Sequence, residues 1–215
     1  MQPQVDGTRP ISLSLPGYPS FMTLLAFYIF TLEKVDVAIL ETGMGGETDS
    51  TNVVNAPIAT GITELGFDHV KALGNTIESI AWHKAGIFKL RTPAFSVPQA
   101  NAAAAVLEQR ACEKSTRVQF VTDDFLTAND IHVEPDEPFQ RSNAALAIAL
   151  AGAYMEQAKP CGQIDPIVAK SVERTELPAK FEIVQRGIVS WVLTSAHNEM
   201  SIKTASQSFL KYVGQ

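Results

Sequence analysis

Cysteine is scarce in this chain, with only Cys112 and Cys161 in 215 residues and no C-x-x-C spacing. Two such residues cannot build a disulfide framework, and they read as reduced thiols in a reducing compartment. Positive charge is also short, at 17 Lys and Arg against 23 Asp and Glu for a net charge of -6, and no basic run stands out. The electrostatic footprint of a phosphate-backbone binder is therefore missing, which argues against nucleic acid as a partner. No long hydrophobic run exists either. The most apolar stretch, Phe21 to Leu32, is interrupted by Thr23 and Thr31 and closed by Glu33 and Lys34. A membrane-spanning helix needs about 20 apolar residues, so the expectation is a buried helix and no membrane partner. The first residues lack the charged-then-apolar order of a signal peptide and the Arg-rich, acid-poor pattern of a transit peptide. The expected location is intracellular, with the cytoplasm as default and the mitochondrion as the alternative.

What remains is an ordinary globular composition, 46% hydrophobic and 19% charged, without internal repeats. The length suits one large domain, or one domain and part of another. Apolar periodicity and end signals predict helices over Ser20–Lys34 (capped by Ser20), Thr76–Lys84 (capped by Asn75 and stopped by Gly86), Asn101–Lys114 (opened by Asn101), Gln140–Gln157, Ile164–Glu173 and Glu199–Val213. Short runs rich in β-branched residues predict strands at Val35–Leu40, Pro57–Thr63, Pro93–Val97, Val118–Val121, Phe181–Val184 and Val189–Thr194. Alternation of the two predicts an α/β fold with a mostly parallel sheet. In such sheets ligands gather beyond the carboxyl ends of the strands.

Those ends carry the candidate chemistry. Glu41 follows the VDVAIL run and opens E-T-G-M-G-G-E-T-D-S-T-N, Glu41 to Asn52. A carboxylate there can ligate a hard cation such as Mg²⁺, and the glycines allow close backbone approach to an anion, although a plain structural turn fits equally well. Asp68 and His69 follow the next strand in L-G-F-D-H, at the same sheet edge. Lys84 closes the helix of I-A-W-H-K-A-G-I-F-K, where a lysine ordinarily complements the helix dipole. Beside a metal its charge would have to be removed or reversed. His83 is expected at solvent or a neighbouring helix without a role, His132 at the surface, and Asp123 and Asp124 in a solvated turn. Glu41, Asp68, His69 and Lys84 also admit a metal-hydrolase reading, supported by nothing beyond generic ligand types.

In order along the chain, YPSFMTLLAF (Tyr18–Phe27), VDVAILETGMGGETDSTNVV (Val35–Val54), LGFDHVKALG (Leu65–Gly74), IAWHKAGIFK (Ile80–Lys89), PAFSVPQ (Pro93–Gln99) and FQRSNAALAIAL (Phe139–Leu150) resemble the folylpolyglutamate synthase family of the Mur ligase superfamily. The resemblance implies a partial Mur-ligase-type central ATPase domain over residues 1–175. Residues 176–215 would open a C-terminal Rossmann-like domain. It implies an ATP-dependent ligase in one-carbon metabolism, which adds L-glutamate to the γ-carboxylate of a folate through an acyl phosphate. By the same resemblance Glu41 and His69 are the Mg²⁺ ligands, Lys84 is the lysine carboxylated to a carbamate, and Asn143 lies near the adenine of ATP.

The chain also departs from the family pattern. Residues 1–17 hold no G-T-x-G-K-G-[ST] phosphate loop, the element whose backbone amides and lysine would hold a triphosphate. The family's P-G-R stands here as Pro178, Ala179 and Lys180, which keeps a charge but loses the bidentate fork. The family's L-D-G-A-H stands as Leu193, Thr194, Ser195, Ala196 and His197, with Thr194 replacing a nucleotide-binding Asp. The sequence ends at Gln215, where the glutamate-binding domain has barely begun. The expectation is a chain truncated at both ends and partly degenerate at its nucleotide site. Alternatives are a non-catalytic relative with a binding role, or a ligase acting on another carboxylate.

Overall fold

The computed structural model describes residues 15–158, 166–175 and 177–214. Cys161, the start of the helix expected from Ile164, and residues 1–14 lie outside the described residues. In chain order the elements are α1 (Tyr18–Glu33), β1 (Thr60–Ile62), α2 (Val70–Leu73), α3 (Ile77–Lys84), β2 (Ala94–Ser96), α4 (Asn101–Glu113), β3 (Val118–Phe120), α5 (Asp124–Ala128), α6 (Pro138–Ala158), α7 (Pro166–Glu173), β4 (Lys180–Arg186), β5 (Val189–Thr194) and α8 (Glu199–Val213). Short 3₁₀ turns occupy Ser50–Val53 and Ala85–Ile87.

Strands β1, β2 and β3 pair in that order and in parallel, with Thr60 opposite Ala94 and Ala94 opposite Val118. The fold is thus α/β with a parallel sheet, as the alternating pattern requires. Side chains alternate across the sheet. Ile62 and Ala94 join Ala81, Phe88, Ala103 and Leu107 in the core beneath α3 and α4. On the opposite face Gly61 leaves room for Leu146 and Leu150 of α6, which meet the strand directly. A second apolar cluster, with Leu126, Ile131, Val133, Ala144 and Ile148, packs the other side of α6 against α5 and α7. Strands β4 and β5 form a separate antiparallel hairpin, followed by α8. The capping box of Asn198 and Ser201 starts that helix.

Several expectations need correction. Val35–Leu40 is not a strand. Its residues alternate suitably, but a strand exists only where a neighbour completes its ladder, and none of the described strands pairs with it. Ile39 stays 92% exposed. The helix over Phe21–Leu32 forms but has no buried residue among those described, and the Ser50 turn packs against it, with a 2.9 Å contact between the Thr23 and Ser50 hydroxyls. Its N-cap is Gly17 rather than Ser20, and α3 is capped by Thr76, whose hydroxyl accepts from the Ser79 amide, rather than by Asn75. Likewise Ala100 rather than Asn101 precedes α4. Asp123 is no solvated turn residue, since its carboxylate takes the Arg141 Nε at 2.6 Å.

Candidate functional site

The Gly-rich segment after Glu41 is held in place largely by backbone. Asp49 organises it from within, accepting the amides of Met44 (3.0 Å) and Thr51 (2.9 Å) and the Thr51 hydroxyl (2.6 Å). Burial alone would raise the pKa of Asp49, but hydrogen bonds from Thr51, Met44 and Gly43 outweigh it and hold the carboxyl below its ordinary value. The loop then docks on the end of α3. The Glu47 amide donates to the His83 carbonyl at 2.8 Å, and the Asn52 side chain to the Gly86 carbonyl at 3.0 Å. Lys89 Nζ closes the far side on the Asn52 carbonyl at 3.1 Å, and burial lowers its pKa. The two segments approach so closely that a Cβ on Gly46 would stand 2.8 Å from the carbonyls of His83 and Lys84. A Cβ on Gly86 would fall on the backbone of Glu47. Glycine at both positions is what allows the contact.

His69 enters from a third element. It sits at the start of α2 with φ 50° and ψ 34°, a left-handed conformation that is uncommon for a residue with a Cβ. Leu73, at the other end of α2, fills the space beside Gly45, so α2 also abuts the glycine loop. The segment between β1 and His69 is fixed by the Gln99 side chain, which donates to the Thr63 carbonyl (2.9 Å) and accepts the Leu65 amide (3.0 Å). Glycine loop, Lys84 turn and His69 helix therefore meet at one junction. No hydrogen bond or ion pair joins Glu41, His69 and Lys84 directly, and Glu41 and Lys84 have no side-chain partner among the described residues.

The nucleotide candidates separate into two places. Lys180 and Thr194 stand opposite each other in the β4–β5 register, and the Ser195 amide donates to the Ala179 carbonyl at 2.8 Å. The Thr194 hydroxyl accepts the Ala196 amide at 3.2 Å. Asn143 is exposed in the second turn of α6 and has no partner among the described residues. His83 is half-buried, with its ring edge-on to Trp82 at 5.1 Å. His132 is at the surface beside Asp130.

Two linkages were not anticipated from the sequence. One joins the hairpin to the sheet edge: His197 Nε2 lies 3.3 Å from Asp68 Oδ2, and the Asn198 side chain donates to the same oxygen at 3.2 Å. The other joins Arg110 of α4 to the Glu47 carboxylate of the glycine loop. A hydrogen bond to the Ser195 carbonyl, with Asp68 next, raises the pKa of His197 above 6.5. Hydrogen bonds from Asn198 and the His69 amide lower that of Asp68 below 3.8. The stabilisation from protonated His197 is complete below pH 6.5 and is lost as pH rises through the raised folded value. That from ionised Asp68 is complete above pH 3.8 and is lost as pH falls through its lowered value. The thermal midpoint is expected to be higher at pH 5.5 than at pH 8.5. Asp68→Asn should remove part of that difference and bring the His197 ring titration, followed by NMR, back towards its ordinary value.

The donor chemistry of the junction fits Mg²⁺. Glu41 offers carboxylate oxygens and His69 an imidazole nitrogen, and Mg²⁺ characteristically takes few protein groups and fills its shell with water and substrate phosphates. Among the described residues no group of three or more His, Cys, Asp or Glu side chains forms a metal cage. Nor is any helix among the described residues long and apolar enough to cross a membrane.

Parallel sheet and flanking helices define an α/β protein, and its likeness to solved folylpolyglutamate synthases makes that fold the Mur-ligase type. The chain is 39% identical over 203 residues to a folylpolyglutamate synthase of Neurospora crassa, matching 92% of this chain and 38% of that protein. It is 42% identical over 172 residues to the Arabidopsis thaliana folylpolyglutamate synthase, matching 79% of this chain and 29% of that one. A solved folylpolyglutamate synthase complex with AMPPCP and folate superposes with a TM-score of 0.78 at 29% identity, over 91% of this chain and 52% of that one. No family model matches. The chain belongs to the folylpolyglutamate synthase family over the part of that fold it spans, which is about 38% of the length of the first of these relatives.

Proposed function

We propose that this chain carries part of the site of an ATP-dependent ligase that joins L-glutamate to the γ-carboxylate of a folate. The observation that carries the reading is the docking of the glycine loop onto the Lys84 turn, with the His69 helix against the same loop. Residues 1–175 form the central, nucleotide-handling domain and residues 176–215 the start of a second domain, in an intracellular protein whose partners are small molecules.

A carboxylate is a poor acyl donor. Transfer of the ATP γ-phosphoryl group to the folate γ-carboxylate makes an acyl phosphate and releases ADP. The amine of L-glutamate then attacks the acyl carbon, loses a proton and expels phosphate, leaving the amide. Mg²⁺ held by Glu41 and His69, with Lys84 carboxylated beside them, would neutralise charge on the phosphoryl oxygens. Asn143 presents an amide, both donor and acceptor, to the adenine edge. Lys180 supplies a cation for the phosphates, and Thr194, across the ladder from it, occupies the position of the family's nucleotide-binding Asp without its charge. The glycine loop and Asp49 hold Glu41 in register with the Lys84 turn.

One feature favours a second reading, a catalytically inactive relative with a binding role that no longer takes ATP. Thr194 stands where the family has an Asp, and its hydroxyl oxygen is already engaged by the Ala196 amide. One experiment separates the two readings. Purified chain is expected to release phosphate from ATP only with both tetrahydrofolate and L-glutamate present. No release above blank, with no MgATP binding by calorimetry, would move the chain to the second reading, and a micromolar affinity for MgATP would count against that reading. The same assay with other carboxylic acids in place of folate tests a changed acyl substrate.

A further inference from the structure

We propose that Arg110, on α4, is a positioning residue that locks the glycine loop onto the turn carrying Lys84. The inference rests on the reading of Glu41 and Lys84 as one site. Arg110 is an unusual residue for its place. Its side chain is only 9% exposed, and a buried guanidinium is retained only where it is well paired. Here it is paired on three sides. One terminal nitrogen binds the Glu47 carboxylate of the glycine loop, the other binds Glu113 on its own helix at 3.0 Å, and the guanidinium lies 4.5 Å over the ring of Trp82 on α3.

Glu47 is the residue these contacts converge on. Its amide is already tied to the His83 carbonyl, and its backbone lies over Gly86. The Asn52 and Lys89 hydrogen bonds hold the far end of the loop, and a side chain reaching across from α4 is what ties down the Glu47 side chain itself. The Trp82 ring in turn braces the helix turn immediately before Lys84. Arg110 thus couples the segment bearing Glu41 to the one bearing Lys84 without facing either. Its Nε is buried with no hydrogen-bond partner, so the guanidinium is held for its two terminal pairs and its stacked face rather than for full satisfaction.

The test compares Arg110→Met, which keeps an apolar stem against Trp82, with Arg110→Lys and with Glu47→Gln, which breaks the pair from the exposed loop. Amide exchange is read by NMR. The Glu47 amide is expected to exchange at least about tenfold faster in Arg110→Met and Glu47→Gln, the loss of a charged hydrogen-bonded pair. The sheet amides of Val97 and Val121, which bond to the Ile62 and Ser96 carbonyls, are expected to hold their rates. Arg110→Lys should recover part of the protection, since an ammonium can still meet one carboxylate. Unchanged exchange at Glu47, or equal loss across the sheet, would overturn the proposal. A ¹³C carbamate resonance at Lys84 under labelled CO₂ gives the second readout, which should weaken in Arg110→Met and return in Arg110→Lys. A wild-type chain with no carbamate signal counts against the Lys84 reading alone and leaves exchange to decide the clamp. A full signal in Arg110→Met beside a freed loop overturns the positioning role.

Discussion

Alanine at Gly86 is expected to destabilise the chain by about 2–3 kcal/mol, and to do so at the candidate site rather than in the core. A methyl group there has no flexible side chain to displace, since it would fall on the Glu47 backbone. Either the glycine loop lifts off the α3 end, losing the Glu47–His83 hydrogen bond, or the 3₁₀ turn of Ala85–Ile87 moves and takes Lys84 with it. Gly152→Ala supplies the opposite sign. Gly152 is in α6, where an added Cβ meets nothing within 4 Å, so helix propensity alone should stabilise by up to about 1 kcal/mol. Urea unfolding of the two variants gives the comparison, with a lower midpoint for Gly86→Ala and a higher one for Gly152→Ala at similar slope. A Gly86→Ala midpoint equal to wild type would mean that the loop is not seated on the turn.

How much of this could be read beforehand depends on whether the information is local. Helices α4, α6 and α8 follow from periodicity, because a helix completes its hydrogen bonds within its own segment. The parallel strands were legible as short apolar runs between helices. Val35–Leu40 was misread for the converse reason, since its composition is that of a strand but its ladder depends on a neighbour. Caps were misplaced by one residue at Asn75 and Asn101, where an adjacent residue took the cap position instead. At the site, Glu41, His69 and Lys84 stand out through their ordered motifs. Their arrangement does not, because it depends on Gly46 meeting the His83 and Lys84 carbonyls, and Gly86 the Glu47 backbone, across a tertiary contact. The Asp68–His197 link and the Arg110–Glu47 pair join residues far apart in sequence, and no pattern in either segment announces them. Arg110 in particular reads as an ordinary exposed helix cation until its burial is known.

Lys84 is where ordinary helix electrostatics and the proposed chemistry give opposite forecasts. As a cation in the last turn of α3 it complements the helix dipole, and on that account arginine should serve nearly as well as lysine. As a carbamate it changes from a positive to a negative group. Arginine, always protonated and not convertible to a carbamate in this way, should then be as damaging as alanine. The proposed ligase reading requires the second pattern. Lys84→Ala and Lys84→Arg are both expected to lower folate- and glutamate-dependent phosphate release by at least about a hundredfold, the scale of losing one charge-stabilising group at a transition state. A small carboxylate such as acetate should restore part of the activity to Lys84→Ala, where the truncated side chain leaves space. It should restore none to Lys84→Arg, where the guanidinium fills that space. The half-buried setting of Lys84 and its lack of any partner among the described residues are what allow either charge to be accommodated. Wild-type activity in Lys84→Arg would return the residue to the helix dipole and leave Glu41 and His69 as the only protein groups argued to face a metal.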